Sequence, residues 1–219
     1  NTDGLTPNLD HFADEAVVFH DATAAAPWTV PSHMSVWTAR WPSIHGVTNK
    51  LKLLSQDQMV DAALSPGIET FPDHLVRAGL AAAAFTGGAG VSAKFGFGRG
   101  FETYLDDRPF AGMDYSLPPA LEWLGKNRSR RFFLFMHGYD VHGQHPLLGV
   151  TPRDAVPDYH GTLDGSVEEQ ARLRELGLSA IKEPGDDANL KGTLSAEDAR
   201  FLLEVYDRKV RQADQQFGT

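Results

Sequence analysis

Two short apolar runs constrain the fold of this 219-residue chain more than any other feature: Leu80-Ala81-Ala82-Ala83-Ala84-Phe85 and Phe132-Phe133-Leu134-Phe135-Met136. Each is too short for a buried helix and suits a strand covered on both faces. Each also follows a helical segment. Phe71, Leu75 and Ala78 mark a short helix ahead of the first run, with Gly79 as its C-cap. Pro119 to Trp123 opens a second helix, and Arg128-Ser129-Arg130-Arg131 makes a basic turn before the second run. Helix, break and buried strand, given twice, predict an α/β fold: a mostly parallel central sheet flanked by helices.

The other segments are read around that frame. Thr6 and Pro7 form an N-cap and first-turn pair, and Leu9, Phe12, Ala13 and Ala16 keep helical spacing. Val17-Val18-Phe19 is expected as a short strand, and Trp41-Pro42 as a break. Residues 48–66 read as a polar, irregular surface excursion. Residues 143–192 form a loop-rich insertion with a short helix at 166–176. Ser195, with Asp198 at the capping-box position, starts a long helix whose apolar stripe is Leu202, Val205, Val210, Ala213 and Phe217, with Gly218 at its end. The chain is long enough to bury a core and is expected to form one domain or a large part of one. A net charge of −9 with scattered basic residues argues against nucleic acid as a partner. No stretch is apolar for long enough to span a bilayer, and the lack of Cys excludes disulfides and thiolate metal sites.

Chemistry concentrates first in Pro27-Trp28-Thr29-Val30-Pro31-Ser32-His33-Met34-Ser35. Pro31 suits the first turn of a helix, which would put Thr29 just ahead of the N-terminus, where unpaired N–H groups and the helix dipole favour an anion. A hydroxyl that attacks a phosphate or sulfate ester wants that address, although a free threonine needs a metal or a base to take its proton. A capped helix start without chemistry is the alternative reading. The second cluster, His137-Gly138-Tyr139-Asp140-Val141-His142, follows the second apolar run and should lie at the carboxyl edge of the sheet, where ligands bind in open α/β folds. The third is Thr86-Gly87-Gly88-Ala89-Gly90, read as a flexible turn, with Lys94 beyond it either solvated or supplying positive charge from a shifted position.

The order of landmarks resembles the sulfatase-like hydrolases and transferases of the alkaline phosphatase superfamily. Thr6-Pro7-Asn8-Leu9-Asp10, then Thr29-Val30-Pro31-Ser32, Thr38-Ala39 and His45-Gly46-Val47 match that family's Thr-Pro-Asn-Leu-Asp, nucleophile-x-Pro-Ser, Thr-Gly and His-Gly-Val. Phe95 to Tyr104 resembles its Gly-Phe-Asp-x-Tyr landmark and is expected to be structural. The resemblance makes Thr29 the nucleophile and a metal ligand, with Ser32 beside it binding substrate and His33 facing the anion as a further catalytic group. His142 becomes the general acid for the leaving alcohol, and His137 and Asp140 become orienting groups in the substrate site. His33 stands where the family has Arg, and an imidazole replaces that guanidinium only weakly and in a pH-dependent way. Thr29 stands where sulfatases have the Cys or Ser that matures to formylglycine, and the family's Gly-Lys-Trp-His segment is missing, leaving Lys94 as its only stand-in. Threonine nucleophiles occur in phosphoryl-transferring branches of the superfamily, so phosphate esters are implied as strongly as sulfate esters. His45 is expected to brace the fold, and His145 and His160 to have no role.

What the resemblance implies for the whole is a divalent cation (Ca, Mg, Mn or Zn). Its carboxylates would come from strands on either side of this chain, which begins on Asn and reads as an internal fragment; Asp3 and Asp10 do not replace them. The implied partner is a small-molecule, glycan or lipid sulfate or phosphate ester, and a periplasmic or extracellular location is compatible with it. The rival expectation is a non-catalytic relative that binds an anionic ligand or a partner.

Overall fold

The structure, a computed structural model, describes residues 4–55, 58–142, 156–164, 166, 168–169 and 195–219. The chain packs as two compact units, Val17–Tyr139 and Asn1–Ala16 with Asp140–Thr219.

In the first unit the two apolar runs are strands. β3 (Ala81–Thr86) is buried at every residue and lies between β4 (Thr103–Leu105) and β5 (Phe132–His137), all three parallel. Four consecutive alanines make a poor strand by propensity, but their small side chains let helices close on both faces of the central strand. Ala81 pairs with Phe132 and Thr86 with His137. Since successive side chains alternate across a strand, Leu134 and Met136 join Ala83 and Phe85 on one face, under helix α5 (Met113–Asn127), where Ala120 and Trp123 meet them. Phe133, Phe135 and His137 point to the other face.

That second face carries the main core. Helix α2 (Thr29–Thr38) buries Val30, Met34 and Trp37 there with Val47, Leu64, Val91, Phe95 and Phe97. Trp37 is its hub: the indole lies edge-on to Phe135 at 4.5 Å and to Phe71 at 5.3 Å, and its N–H donates to the Phe97 carbonyl at 3.1 Å. The glycine-aromatic segment from Phe95 to Tyr104 is therefore structural, as its sequence suggests. Helix α4 (Phe71–Arg77) starts with a Thr70–Asp73 capping box. It ends in a Schellman turn, in which Gly79 N–H reaches the Val76 carbonyl and Leu80 N–H the Leu75 carbonyl. Ala78 is the C-cap itself, and Gly79, at φ +83°, is the left-handed residue after it.

Four expectations are corrected here. Residues 48–66 are not irregular throughout: β1 (Leu51–Ser55) and β2 (Gln58–Asp61) form an antiparallel pair. Val17-Val18-Phe19 is not a strand, and Val17 and Phe19 are 82% and 78% exposed; β-branched character does not make a strand without a ladder partner. Helix α5 begins at Met113, not at Pro119, with Pro118 and Pro119 inside it. The break after α2 falls at Ala39, in a left-handed conformation, and Pro42 opens a further helical turn, α3 (Pro42–His45).

The second unit holds helix α1 (Pro7–Asp14) and the long helix α6 (Ala196–Phe217), which starts with the expected Ser195–Asp198 capping box. Thr6 occupies the N-cap of α1 but its hydroxyl goes to Asp10. The Asp214 carboxylate on α6 caps instead, accepting the N–H groups of Asn8 and Leu9 at 3.0 and 2.9 Å. The apolar face of α6 centres on the buried Phe201, which the expected stripe left out, with Leu202 and Val205 beside it; Phe217, at the end of the stripe, is exposed and edge-on to Phe12. Lys209 and Asp214 are buried on this helix too, so its inner face is less apolar than the stripe implies. Most of residues 143–192, including His145 and most of the helix expected at 166–176, lie outside the described residues. No helix among the described residues is long and apolar enough to cross a membrane.

Candidate active site

The site is built where α2 starts. Trp28 is the N-cap in extended conformation, so Thr29 is the first helical residue, not the residue ahead of it. Sequence placed this boundary one step late because proline is tolerated anywhere in the first turn, where its missing N–H has no intrahelical partner. The first intrahelical bond, from Ser32 N–H to the Trp28 carbonyl, is 3.3 Å. Ser32 is half-buried in the same turn. The Thr29 and Val30 amides thus lie at the positive end of the helix dipole.

One turn on, the His33 Nδ1 sits 3.0 Å from the Thr29 carbonyl. A carbonyl only accepts, so Nδ1 carries the proton and Nε2 is left as the acceptor. Burial pushes the His33 pKa down, and the bond to Thr29 offsets this only in part, so the ring is neutral at pH 7. Its neighbour comes from the sheet. Alternation along β5 turns His137 toward α2, and the two imidazoles meet edge to face at 5.2 Å. Two residues further, Tyr139 continues on that side, 4.7 Å from His137.

The third wall is the glycine loop after β3, which is closely packed. Its residues run into two single helical turns, Ala89–Val91 and Ala93–Phe95, and pack against what surrounds them. A Cβ on Gly87 would run into the Ala111 carbonyl and the Tyr139 ring. A Cβ on Gly90 would stand 2.9 Å from both Cβ and Cγ2 of Thr29. The Tyr139 phenol pins the loop: it accepts from Gly90 N–H at 3.0 Å and donates to the Gly88 carbonyl at 3.3 Å.

Of the residues singled out from sequence, the structure brings Thr29, His33 and His137 together, with Ser32 on the same helical turn. Lys94 is engaged with Asp61, 2.9 Å away, and lies over the Phe95 ring. Asp140, buried, and His142, exposed, begin the other compact unit. His45 is a brace: its Nδ1 accepts from Val47 N–H and its Nε2 meets the Ser35 hydroxyl at 3.1 Å. His160 is exposed, Asp10 is exposed, and Asp3 lies outside the described residues. Residue type alone gives Tyr139 no role. The signal was the spacing Phe135, His137, Tyr139, every second residue, which puts the phenol on the side of the strand that faces Thr29.

Thr29 offers a cation one oxygen. Among the described residues no group of three or more His, Cys, Asp or Glu stands together to hold a metal ion, so these residues do not make a metal site by themselves.

Two solved structures share this fold. BT4656, in complex with its substrate D-glucosamine-2-N,6-O-disulfate, superposes with a TM-score of 0.60 at 17% identity, over 97% of this chain and 56% of its own. The lipoteichoic acid synthase LtaP from Listeria monocytogenes superposes with a TM-score of 0.51 at 18% identity, over 98% of this chain and 44% of its own. The chain thus spans about half the length of these neighbours. None of the curated proteins matches it. The sulfatase family model matches residues 1–219, which is the whole chain, and the protein belongs to the sulfatase family.

Proposed function

We propose that this protein hydrolyses or transfers a sulfate or phosphate ester through a covalent intermediate on Thr29. The observation that carries the reading is the Thr29 hydroxyl in the first turn of α2, at the positive end of the helix dipole. The neutral His33 stands one turn on, hydrogen-bonded to the Thr29 carbonyl, and the Thr29 side chain packs against Gly90. In the proposed reaction the Thr29 hydroxyl gives up its proton to solvent, a bond forms between Thr29 Oγ1 and sulfur or phosphorus, and the ester bond to the alcohol breaks. His142 gives the departing oxygen its proton. Water or a second alcohol then attacks the same atom and frees Thr29. Fixed dipoles and positioning supply most of the catalysis in such a transfer.

The substrate class follows the two neighbours in outline: one binds a sulfated sugar and the other is named for a lipid-linked polymer, so a glycan or lipid ester is proposed alongside small molecules. Activation by a divalent cation belongs to the proposal too, with its further ligands drawn from outside the described residues. Exhaustive chelation of the whole protein should abolish turnover, and returning metal ions singly should identify the one that restores it.

The deciding experiment is Thr29→Ala in the whole protein, assayed on para-nitrophenyl sulfate and para-nitrophenyl phosphate side by side. Turnover should vanish while the thermal transition stays, and wild-type protein quenched during turnover should yield a sulfo- or phospho-Thr29 peptide. Retained activity in T29A refutes the reading. A second reading, an anion-binding relative without catalysis, is favoured by the absence of a metal-ligand group among the described residues. It predicts that sulfate or phosphate raises the melting temperature with no turnover of either probe.

A further inference from the structure

We propose that His33 is a specificity residue: its Nε2 accepts a hydrogen bond from the proton of a phosphate monoester, and so sets the site for phosphate esters rather than sulfate esters. This rests on the reading of Thr29 as the nucleophile of an ester transfer. One contact tells the two ring nitrogens apart. Nδ1 lies 3.0 Å from the Thr29 carbonyl, one helical turn back, and a carbonyl takes only a donor. In the neutral imidazole the single proton is therefore on Nδ1, and Nε2 presents a lone pair. Turning the ring over would put a carbon against that carbonyl and forfeit the bond. The His137 ring, edge to face at 5.2 Å, packs against the imidazole from β5. His33 is half-buried, and its Nε2 has no hydrogen-bond partner among the described residues.

A lone acceptor one turn from a nucleophile sorts anions by whether they carry a proton. A sulfate monoester has none, so each of its free oxygens would meet the Nε2 lone pair as acceptor against acceptor. A phosphate monoester loses its second proton at about pH 6, so around neutrality it enters with one P–OH, whose proton goes to Nε2. The charge on its remaining oxygens then faces the Thr29 and Val30 amides at the start of α2. A guanidinium at position 33 would act in the opposite sense. It only donates, and it serves proton-free sulfate as well as phosphate.

The test uses the whole protein at about pH 8, above the usual imidazole range, titrated by calorimetry with inorganic phosphate, monofluorophosphate and sulfate. All three are tetrahedral dianions there, and only phosphate carries a proton. Phosphate should bind at least about tenfold more tightly than either of the others. His33→Asn keeps a side-chain N–H for the Thr29 carbonyl and deletes the Nε2 acceptor. It should bring the three affinities within about threefold of one another while the thermal transition stays. With the para-nitrophenyl esters at about pH 7, the phosphate-to-sulfate ratio of kcat/KM should fall about tenfold in H33N. Equal binding of phosphate and monofluorophosphate by the wild-type protein overturns the role of His33 without any variant. So does the failure of all three anions to bind, or a phosphate preference that H33N leaves intact. Activity in T29A overturns the nucleophile reading itself, so the two failures are told apart.

Discussion

Gly90→Ala adds one methyl group at the point where the glycine loop touches Thr29. The backbone there is not in the left-handed region, so any residue could adopt its conformation and only space demands glycine. The added carbon would stand 2.9 Å from Thr29 Cβ, 2.9 Å from Thr29 Cγ2 and 3.2 Å from the Tyr139 oxygen. Carbon pairs settle at roughly 3.5–4.0 Å, so two contacts must open by at least about half an ångström. Neither partner yields easily. Thr29 is carried by a helix whose next core residues, Val30 and Met34, are 0% exposed, and Tyr139 is packed between two rings. Overpacking of this kind costs about 1–3 kcal/mol, which in a protein of this size lowers the melting temperature by about 2–12 °C. Displacing the Thr29 oxygen by a large fraction of an ångström should also cut kcat by about 10- to 100-fold. Calorimetry on G90A, T29G and the double variant isolates the cause, since glycine in place of Thr29 removes both close partners. In that background Gly90→Ala should be nearly neutral, helped by the lower entropy of its unfolded chain. An equal loss with and without the Thr29 side chain refutes the contact as the reason for glycine.

Two further predictions concern carboxylates of the second unit. Asp198, 1% exposed, is pushed up by its burial, but hydrogen bonds from Tyr159, Ser195 and Thr162 overcome this and hold its pKa far below the usual carboxylate range. Its contribution is therefore complete above about pH 4 and falls away as the pH drops further. Asp198→Asn should lower the melting temperature at neutral pH by about 4–8 °C and flatten its decline in acid, and an unchanged acid profile would exclude Asp198 as a source of that decline. Asp214→Ala takes the acceptor from the Asn8 and Leu9 amides, so hydrogen exchange at Leu9 should quicken at least about tenfold while the β3 amides keep their protection; unchanged exchange at Leu9 would refute trans-capping of α1.

Elements that depend on local pattern were legible in the sequence, and those that depend on a distant partner were not. β3 and β5 announce themselves as unbroken apolar runs, and the starts of α4 and α6 as capping boxes, because burial on both faces and reciprocal capping are written in adjacent residues. The β1–β2 pair escaped because its strands are short and exist only through each other. Val17-Val18-Phe19 misled for the converse reason, having strand-like side chains and no strand pairing among the described residues. Pro118 and Pro119 look like a helix start, yet they stand in the second turn of α5. Their missing N–H groups forgo bonds to the Asp114 and Tyr115 carbonyls, a loss that the packing of Ala120 and Trp123 on the sheet offsets.

The site follows the same division. Thr29, His33 and His137 were visible as residue types at a helix start and a strand end, but their meeting depends on register. All three strands of the sheet run parallel, so the exits of β3 and β5 share one edge, and the pairing of Thr86 with His137 sets the glycine loop beside the segment that carries Tyr139. Alternation then decides which side chains face α2. A slip of one residue in β5 would turn Phe135, His137 and Tyr139 to the α5 face and bring Leu134 and Met136 round in their place. Trp37 would lose its edge-on contact with Phe135, and His33 its contact with His137. The packing of Trp37 against Phe135 therefore does more than stabilise the core: it holds the register that delivers His137 and Tyr139 to Thr29.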